Sequence, residues 1–482
     1  MPHHNRAVCQ SKRTKIVATI GPASASPDVL RRMIECGMDV ARLNFSHGDH
    51  ASHAQVIRTI RELSDQLGVA VAILGDLRGP RIRVGEVEGG QIHLSADAKI
   101  VLTPDVVMGN AQLLSVSYAG LAGDLQAGDE LLIDDGDVVL RVEAIESSGD
   151  IVCTVVEGGA VSSRRGINLP GIHVSLPSLT DKDRQDVAFA IEQGIDFLAL
   201  SFVQCANDVR ELNQMLRDSG SQIPVIAKIE KKGALDDLDA VVREAYGVMV
   251  ARGDLALEMS FQEVPIAQKR IIARCREAAV PVITATQMLE SMIERDHPTR
   301  AEATDVANAV FDGTDALMLS GETAMGRYPV EAVATMATIA ARAETAWLNG
   351  EVPRPGEPAA PCDVDSTIAH LGHVAACDLP AAAIVTYTQS GSTARRLCRY
   401  RPPAPVLALT PSEATRRQLA LSWGTLPVLC EPIHDLAAMN ERALDEVRRR
   451  GLAQPGDCVV VLAGTPLGVP GTTNLLRVER VK

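Results

Sequence analysis

PVIAKIE, residues 224–230, is one of eight short apolar runs in which β-branched residues are frequent and a polar residue often closes the run. The other seven are KIVATIG (15–21), DVARLNF (39–45), VAILGDL (71–77), FLALSF (197–202), GVMVARG (247–253), PVITATQ (281–287) and ALMLSGE (316–322). Nearly continuous apolar character is typical of strands covered on both faces, as in a parallel sheet. Stretches with helical periodicity separate most of the runs, so the sequence predicts an α/β fold built on a (β/α)8 TIM barrel. An open doubly wound sheet is the alternative.

Two stretches that break the alternation of predicted strands and helices indicate further domains. The long interval after the third run contains QIHLSADAKIVLT, DELLIDDGDVVLRVEAI and DIVCTVVEGG, which indicate short strands joined by Gly and Asp turns. We therefore expect a small β-barrel lid domain at 84–173, inserted into a catalytic barrel made of 1–83 and 174–348. The Pro-rich stretch 349–363 indicates a linker. A C-terminal α/β domain is expected at 364–482.

Composition excludes several classes of protein. Apolar residues make up 46% of the 482 residues, which excludes a disordered chain. A net charge of −14 and only 3% aromatic residues argue against a nucleic-acid partner. The ten cysteines include no Cys-x-x-Cys pair, which favours buried thiols in a reducing compartment. Residues 1–15 lack an apolar leader, and no run approaches the ~20 apolar residues that span a bilayer, so we expect a cytoplasmic protein with no membrane partner.

Polar residues collect at the carboxyl ends of the predicted strands, where barrel enzymes carry their chemistry. They are Arg42, Asn44, Ser46, Asp76, Arg83, Ser201, Lys228, Glu230, Arg252, Asp254, Thr286, Ser320 and Glu322. The strand period of two places Lys228 and Glu230 on one face and Ile229 on the other. We expect Asp254 to end the next strand near Glu230, because two carboxylates beside a phosphate suit Mg²⁺ or Mn²⁺. The alternative is a buried Lys–Glu ion pair without chemistry.

Residues at other strand ends can likewise be interpreted either as ligand-binding or as structural. Arg42 offers a planar fork for a phosphate or carboxylate, and Asn44, Ser46 and Asp76 are oxygen donors able to hold a monovalent cation. The alternative is local hydrogen bonding in turns and helix caps.

Two further strand ends favour structural roles. In isolation, the Thr286 hydroxyl is expected to be satisfied by backbone. Glu322 is expected to pair with an arginine such as Arg252.

Longer motifs resemble the pyruvate kinase family, in order, from about residue 14 to the C-terminus. They are TKIVATIGPAS (14–24), VARLNFSHG (40–48), GDLRGPRIRVG (75–85), SSRRGINLPG (162–171), AKIE (227–230), MVARGDLALE (249–258), ITATQMLESM (283–292), HPTRAEATDVANAVFDGTDALMLSGETAMGRYPVEAV (297–333) and TQSGSTAR (388–395). The resemblance implies the glycolytic transfer of a phosphoryl group from phosphoenolpyruvate to ADP, and an allosteric homotetramer.

The resemblance also implies roles for individual residues. Lys228, Thr286 and Arg42 would be catalytic, and Gly253 would bring backbone close to the substrate. Glu230 and Asp254 would hold Mg²⁺. The remaining implied residues are Asn44, Phe45, Ser46, His47, Arg83 and Arg165 near the nucleotide, and Asn44, Ser46, Asp76 and the Leu77 carbonyl around K⁺.

Two positions depart from the family pattern. Arg81 stands where potassium-dependent members carry Glu, so we expect its fixed charge to replace K⁺. Arg165 stands where Lys is frequent, which keeps a cation but changes its geometry.

In the C-terminal domain, a Ser/Thr/Gly loop precedes a predicted helix. The resemblance implies a phosphorylated effector at Thr388, Ser390, Gly391, Ser392 and Thr393, because hydroxyls and helix-start N–H groups suit a phosphate. A capped helix without a ligand is the alternative.

Two other functions remain open at this point. Another Mg²⁺-dependent barrel enzyme, an aldolase or lyase acting on pyruvate or phosphoenolpyruvate, would keep the carboxylate pair but would not need ADP. A catalytically dead scaffold would have no turnover.

Overall fold

The computed structural model describes residues 12–353, 356, 358 and 363–482. Eight parallel strands close into a barrel, which confirms the TIM-barrel prediction and excludes the open sheet. The strands are Lys15–Thr19, Val40–Asn44, Ala72–Asp76, Phe197–Leu200, Val225–Ile229, Gly247–Ala251, Val282–Ala285 and Ala316–Leu319. Each lies within one of the eight apolar runs, because burial on both faces favours apolar residues along a barrel strand.

Helices cover the outside of the barrel, and several begin at polar caps. Thr180 caps the helix Asp181–Glu192, and Thr299 caps Arg300–Asp312, each through a reciprocal capping box. The other helices of this domain are Pro27–Glu35, His50–Leu67, Ala206–Asp218, Lys232–Asp236, Leu238–Glu244, Arg252–Glu258, Val264–Ala278, Gly321–Ala324 and Pro329–Leu348, with a 3₁₀ turn at Glu290–Ile293.

The insert forms a β domain with its own apolar core. A seven-stranded sheet and a two-stranded sheet contain Ile82–Arg83, Gln91–Leu94, Lys99–Thr103, Leu113–Ser115, Glu130–Ile133, Val138–Ile145, Ile151–Glu157, Gly159–Ser162 and Gly166–Asn168. A bridge between Val84 and Val116 joins the two edges of the larger sheet into a barrel. The sheet starts at Ile82, two residues before the expected boundary of this lid. A short helix, Leu121–Asp124, and a 3₁₀ turn, Glu88–Gly90, complete it.

The C-terminal domain is a five-stranded sheet between helices. Four strands, Ala383–Tyr387, Val406–Thr410, Thr425–Leu429 and Cys458–Gly464, are parallel, and an antiparallel strand, Thr473–Arg480, forms one edge. The helices are Val364–Asp378, Ser392–Cys398, Glu413–Gln418 and Leu436–Arg449, with a 3₁₀ turn at Leu419–Leu421. Of the predicted linker 349–363, residues 354, 355, 357 and 359–362 lie outside the described residues. In the part of the chain that the structure covers, no helix is long and apolar enough to cross a membrane.

The C-terminal domain contacts the barrel where its first and last strands pair. We call this pair of strands the seam. Lys15 donates from Nζ to the Thr425 carbonyl at 2.8 Å, and Arg401 pairs with Asp315 at 3.0 Å. Ala420 and Leu421 belong to the same apolar cluster as the barrel interior. These contacts lie at the amino ends of the strands, so they leave the opposite, carboxyl end open for chemistry.

Candidate functional site

Lys228 lies at the centre of the polar barrel mouth. Its Nζ is 2.9 Å from Glu230 Oε1, 3.3 Å from Asp76 Oδ1 and 2.7 Å from Ser201 Oγ. Ile229 is buried among the surrounding helices. The strand Val225–Ile229 therefore aims Lys228 and the following Glu230 into the barrel mouth and Ile229 away from it.

Asp76 joins two cations at the floor of the mouth. Arg42 Nη2 is 2.6 Å from Asp76 Oδ2, and Lys228 lies at its other oxygen. Burial alone would raise the pKa of Asp76, but Lys228 and Arg42 outweigh it and hold that pKa below its usual range. Burial disfavours the charged Lys228, yet Asp76 and Glu230 raise its pKa. The mouth therefore contains a fixed ammonium at neutral pH.

Glu230 and Asp254 form the carboxylate pair. Asp254 lies in the first turn of the helix Arg252–Glu258, which corrects its predicted place at a strand end. Burial raises the pKa of Glu230 despite Lys228, and the charge of Asp254 raises it further. A divalent cation would relieve this repulsion, and carboxylate oxygens are the ligands that Mg²⁺ prefers.

The protein offers this metal only part of a coordination shell. Within the described residues, no three His, Cys, Asp or Glu side chains are grouped to hold a metal ion. The pair therefore fits a cation that keeps waters and takes oxygens from a substrate, which is how Mg²⁺ is usually bound beside phosphates.

Thr286 lies across the mouth in a left-handed conformation, with φ of 67°. Its Oγ1 accepts from the Gly253 N–H at 2.9 Å and donates to the Ala285 carbonyl at 2.7 Å. The hydroxyl is thus satisfied by backbone, as expected, and it holds the backbone N–H of Gly253 at the mouth.

The predicted pairing of Glu322 with Arg252 is wrong. Arg252 pairs with Asp305 at 2.7 Å. Glu322 is fully buried and accepts from the backbone N–H groups of Leu289 and Ser320. Backbone donors replace the expected arginine because the loop after Ala285 folds back over the glutamate.

Two adjoining cavities lie at this end of the barrel. One, of about 110 Å³, occupies the barrel mouth and is lined by Arg42, Lys228 and Glu230 among others. The second, of about 170 Å³, lies between barrel and lid and is lined by residues of both. Arg81, Phe202 and Asp254 line both cavities. Ligands bound in the two cavities would therefore meet beside these three residues. One of them, Asp254, belongs to the carboxylate pair that would hold the metal.

Four of the six residues expected near the nucleotide line these cavities, two in each. Arg83 and Arg165 line the lid cavity, where Arg165 pairs with Asp134 at 3.2 Å. Asn44 and Ser46 line the barrel mouth instead.

The other two expected nucleotide contacts line neither cavity. His47 is exposed, and its carbonyl accepts from the His53 ring. Phe45 is 1% exposed and packs on the Phe189 and His53 rings, while its backbone N–H donates to the Asp76 carbonyl and its own carbonyl accepts from Lys182.

The oxygen donors expected around K⁺ already have partners. Asn44 Oδ1 accepts from the Ser46 N–H at 3.0 Å, and the Leu77 carbonyl accepts from Ser201 at 2.7 Å. Arg81 lines the same cavity, with its guanidinium over the Phe202 ring and 3.8 Å from Asp254. The arginine thus brings a positive charge to this cavity.

Several site contacts were missed from the sequence, although Ser201 itself was expected among the strand-end residues. Ser201 bonds to Lys228 and Leu77, and the Phe202 N–H donates to Glu230 at 2.6 Å. Their position directly after a strand was a usable signal. Lys231 lines the lid cavity and pairs with the buried Glu258 at 2.5 Å. Nothing local marks this pairing, because the two residues are 27 positions apart.

The hydroxyls of the predicted effector loop are largely engaged within the protein. Thr388 Oγ1 accepts from the Gly391 N–H at 3.0 Å, and the Thr393 and Thr473 hydroxyls are 2.7 Å apart. Ser392 accepts from Arg396 at 3.3 Å. A cavity of about 20 Å³ lies beside the loop.

Comparisons with known proteins agree along the chain. Residues 11–333 match the family model "Pyruvate kinase, barrel domain", and residues 366–479 match "Pyruvate kinase, alpha/beta domain". A pyruvate kinase of Geobacillus stearothermophilus is 46% identical over 97% of this chain and 80% of the relative. One of Corynebacterium glutamicum is 47% identical over 97% of both chains. A crystal structure of a Cryptosporidium parvum pyruvate kinase matches with a TM-score of 0.91 at 38% identity, over 99% of this chain and 97% of the other.

Proposed function

The chain belongs to the pyruvate kinase family, and on that premise we propose that it transfers the phosphoryl group of phosphoenolpyruvate to ADP, giving pyruvate and ATP. The observation that carries this proposal is the pair of cavities with Arg81, Phe202 and Asp254 as a common wall. Phosphoenolpyruvate fits the cationic barrel mouth, and ADP fits the cleft under the lid.

Lys228 and Arg42 bind the negatively charged oxygens of the reacting phosphate. The bond from phosphorus to the enolate oxygen breaks while a bond forms to a terminal oxygen of ADP. Lys228, fixed by Asp76 and Glu230, stabilises the charge that develops on the phosphoryl group and the enolate oxygen. Glu230 and Asp254 would hold Mg²⁺ or Mn²⁺, which when bound neutralises charge on substrate oxygens.

Thr286 and Gly253 act at the other end of the substrate. The Gly253 N–H, now bonded to the Thr286 hydroxyl, would turn to the substrate carboxylate. The Thr286 hydroxyl, once released, would orient the water that protonates the enolate methylene to give pyruvate.

The nucleotide is bound from both sides of the cleft. Arg83 and Arg165 supply cations from the lid side, where phosphate groups of ADP would approach. The loop that carries Asn44, Ser46 and His47, with the Phe45 backbone, would border the nucleotide from the barrel.

We also propose that Arg81 replaces a potassium ion. Its guanidinium beside Asp254 supplies a permanent charge in the cavity lined by Asn44, Ser46, Asp76 and Leu77. Wild-type activity should be nearly unchanged when tetramethylammonium replaces potassium and sodium, and Arg81→Glu should become dependent on K⁺. A large activation of the wild type by K⁺ contradicts this proposal.

The central test is a coupled assay of pyruvate release from phosphoenolpyruvate, with ADP and Mg²⁺ each supplied or omitted. We expect turnover only when both are present, and a loss of about 10³-fold or more in kcat for Lys228→Met, because the variant lacks the charge that faces the reacting oxygens. Lys232→Met, at an exposed lysine four residues on, is the matched control. Pyruvate formation without ADP would favour the aldolase or lyase, and no turnover would favour the scaffold.

Family membership also supports coarser properties of the protein. We propose a cytoplasmic homotetramer regulated by a phosphorylated effector at Thr388–Thr393, where Ser390 and Gly391 complete the loop. Titration with sugar phosphates and AMP tests this, and unchanged activity and melting temperature contradict it.

A further inference from the structure

Three buried arginines meet where the barrel contacts the C-terminal domain. Arg276 lies near the end of the barrel helix Val264–Ala278, and Arg399 and Arg401 follow the C-terminal helix Ser392–Cys398. They are 7%, 8% and 2% exposed. All three line one small cavity together with Arg395, at the end of the barrel opposite the mouth.

The positive charge in this cluster is not balanced by the protein around it. Asp315, paired with Arg401 at 3.0 Å, is the one carboxylate lining the cavity among the described residues. Arginine does not release its proton in proteins, so the excess charge remains. Burial lowers the pKa of Arg276 to about 10, and the charge of Arg401 adds to that effect. An uncompensated buried charge is strongly destabilising, which calls for a counter-ion.

The donors of the cluster are also incompletely used. Arg401 donates to the Gly313 carbonyl at 2.6 Å and Arg399 to the Glu277 carbonyl at 2.8 Å. These bonds use the terminal nitrogens. The Nε atoms of all three arginines and the Ser422 hydroxyl are buried without a hydrogen-bond partner within 12–353 and 363–482. Buried donors are normally paired, so four orphans around one cavity indicate a missing acceptor.

The size of the cavity selects the acceptor. Its volume is about 10 Å³, which is about that needed for one water-sized occupant. A monatomic anion fits this volume better than a phosphate, a sulfate or a carboxylate. From the charge, the unpaired donors and this volume together, we propose that the interface binds a single chloride ion, held by Arg276, Arg399, Arg401 and Ser422. The ion would tie the barrel to the C-terminal domain.

Bromide provides a direct test, because it replaces chloride and scatters anomalously. Crystals of the full chain soaked in sodium bromide should show one anomalous peak among the three guanidinium groups. Density without an anomalous peak would identify a water, and an empty cavity would equally overturn the proposal.

Solution measurements test the same site through stability. Chloride replaces gluconate at constant ionic strength, and we expect a saturable rise in melting temperature of about 2 °C in the wild type. Arg270→Met, at an exposed arginine on the same helix, should keep this rise, and Arg276→Met should lose it. A rise that does not saturate, or that persists in Arg276→Met, overturns the proposal. Should Arg276→Met fail to fold, the bromide experiment on the wild type still decides the question.

Discussion

Asp76 shows how one buried residue sets the charges of a site. It is 1% exposed and faces Arg42 on one oxygen and Lys228 on the other. The barrel mouth is lined by the cations Arg42, Arg78, Arg81 and Lys228 and by the carboxylates Asp76, Glu230 and Asp254, which leaves one net positive charge for an anionic substrate. The same arrangement makes Asp76 important for stability as well as for chemistry.

Replacing Asp76 with Asn should destabilise the protein in a pH-dependent way. The folded-state pKa of Asp76 is lowered, so its ionised form stabilises the fold at pH above the unfolded value of about 4, and this contribution is lost as pH falls further. At pH 7 we expect Asp76→Asn to lose about 3–5 kcal/mol, since Arg42 then lacks its counter-charge and Lys228 keeps only Glu230.

Urea unfolding at pH 7 and pH 3 measures this difference. The gap between wild type and Asp76→Asn should narrow at pH 3. Asp65→Asn, at an exposed position on the helix His50–Leu67, should stay within about 0.5 kcal/mol of wild type. An equal gap at both pH values would contradict the assignment of charge to Asp76.

At the scale of elements, a buried ion pair connects the lid to the barrel. Glu258, at the end of the helix Arg252–Glu258, accepts from the Gly171 N–H on the return from the lid at 3.2 Å. Its other oxygen pairs with Lys231. The glutamate thus holds the hinge of the lid to the helix that carries Asp254.

Lys231→Met should loosen this hinge. The substitution leaves the Glu258 carboxylate buried without its cation, which costs about 3 kcal/mol. We expect faster amide exchange at 169–174 and a higher KM for ADP, because Lys231 also lines the lid cavity. Lys232→Met is the matched control, and exchange at the hinge that is equal in the two variants would rule out this role.

The elements were largely predictable from the sequence, whereas long-range pairings were not. The strand Gly247–Ala251, GVMVA, is apolar throughout because a barrel strand is buried on both faces, and runs of this kind located each strand from the sequence. Strand periodicity also placed Lys228 and Glu230 together. Asp254 was misplaced because a helix begins directly after the strand, and the partner of Glu322 proved to be backbone, which no side-chain pattern reveals.

At the scale of the whole molecule, ion pairs hold the C-terminal domain to the amino end of the barrel. Arg417 pairs with the buried Asp196 at 2.7 Å, and Arg61 reaches the same carboxylate at 2.8 Å. The neighbouring Arg416 pairs only within its own helix, with Glu413 at 3.0 Å, among the described residues. Arg417 and Arg416 are therefore a matched pair, because the first makes a contact between the two domains and the second a contact within one helix.

Arg417→Met should weaken the contact between the domains, and Arg416→Met should not. We expect a loss of about 1–2 kcal/mol for Arg417→Met, because a charged hydrogen bond to a buried carboxylate is removed. Unfolding in guanidinium followed by the fluorescence of Trp347 and Trp423 measures this, since both rings are buried and 6.0 Å apart. Equal losses in the two variants would contradict the prediction.

The seam has a consequence for how the chain matures. Lys15 and Asp315 stand at the start of the first and last barrel strands, and their partners Thr425 and Arg401 come from the final quarter of the chain. A ribosome releases those partners last. Until they arrive, the side chain of Lys15 has only its contact with Asp39, and that of Asp315 only the Val282 N–H, among the described residues of the barrel. We expect the pairing of the first and last barrel strands to become stable only after synthesis ends, because residues near the C-terminus stabilise it.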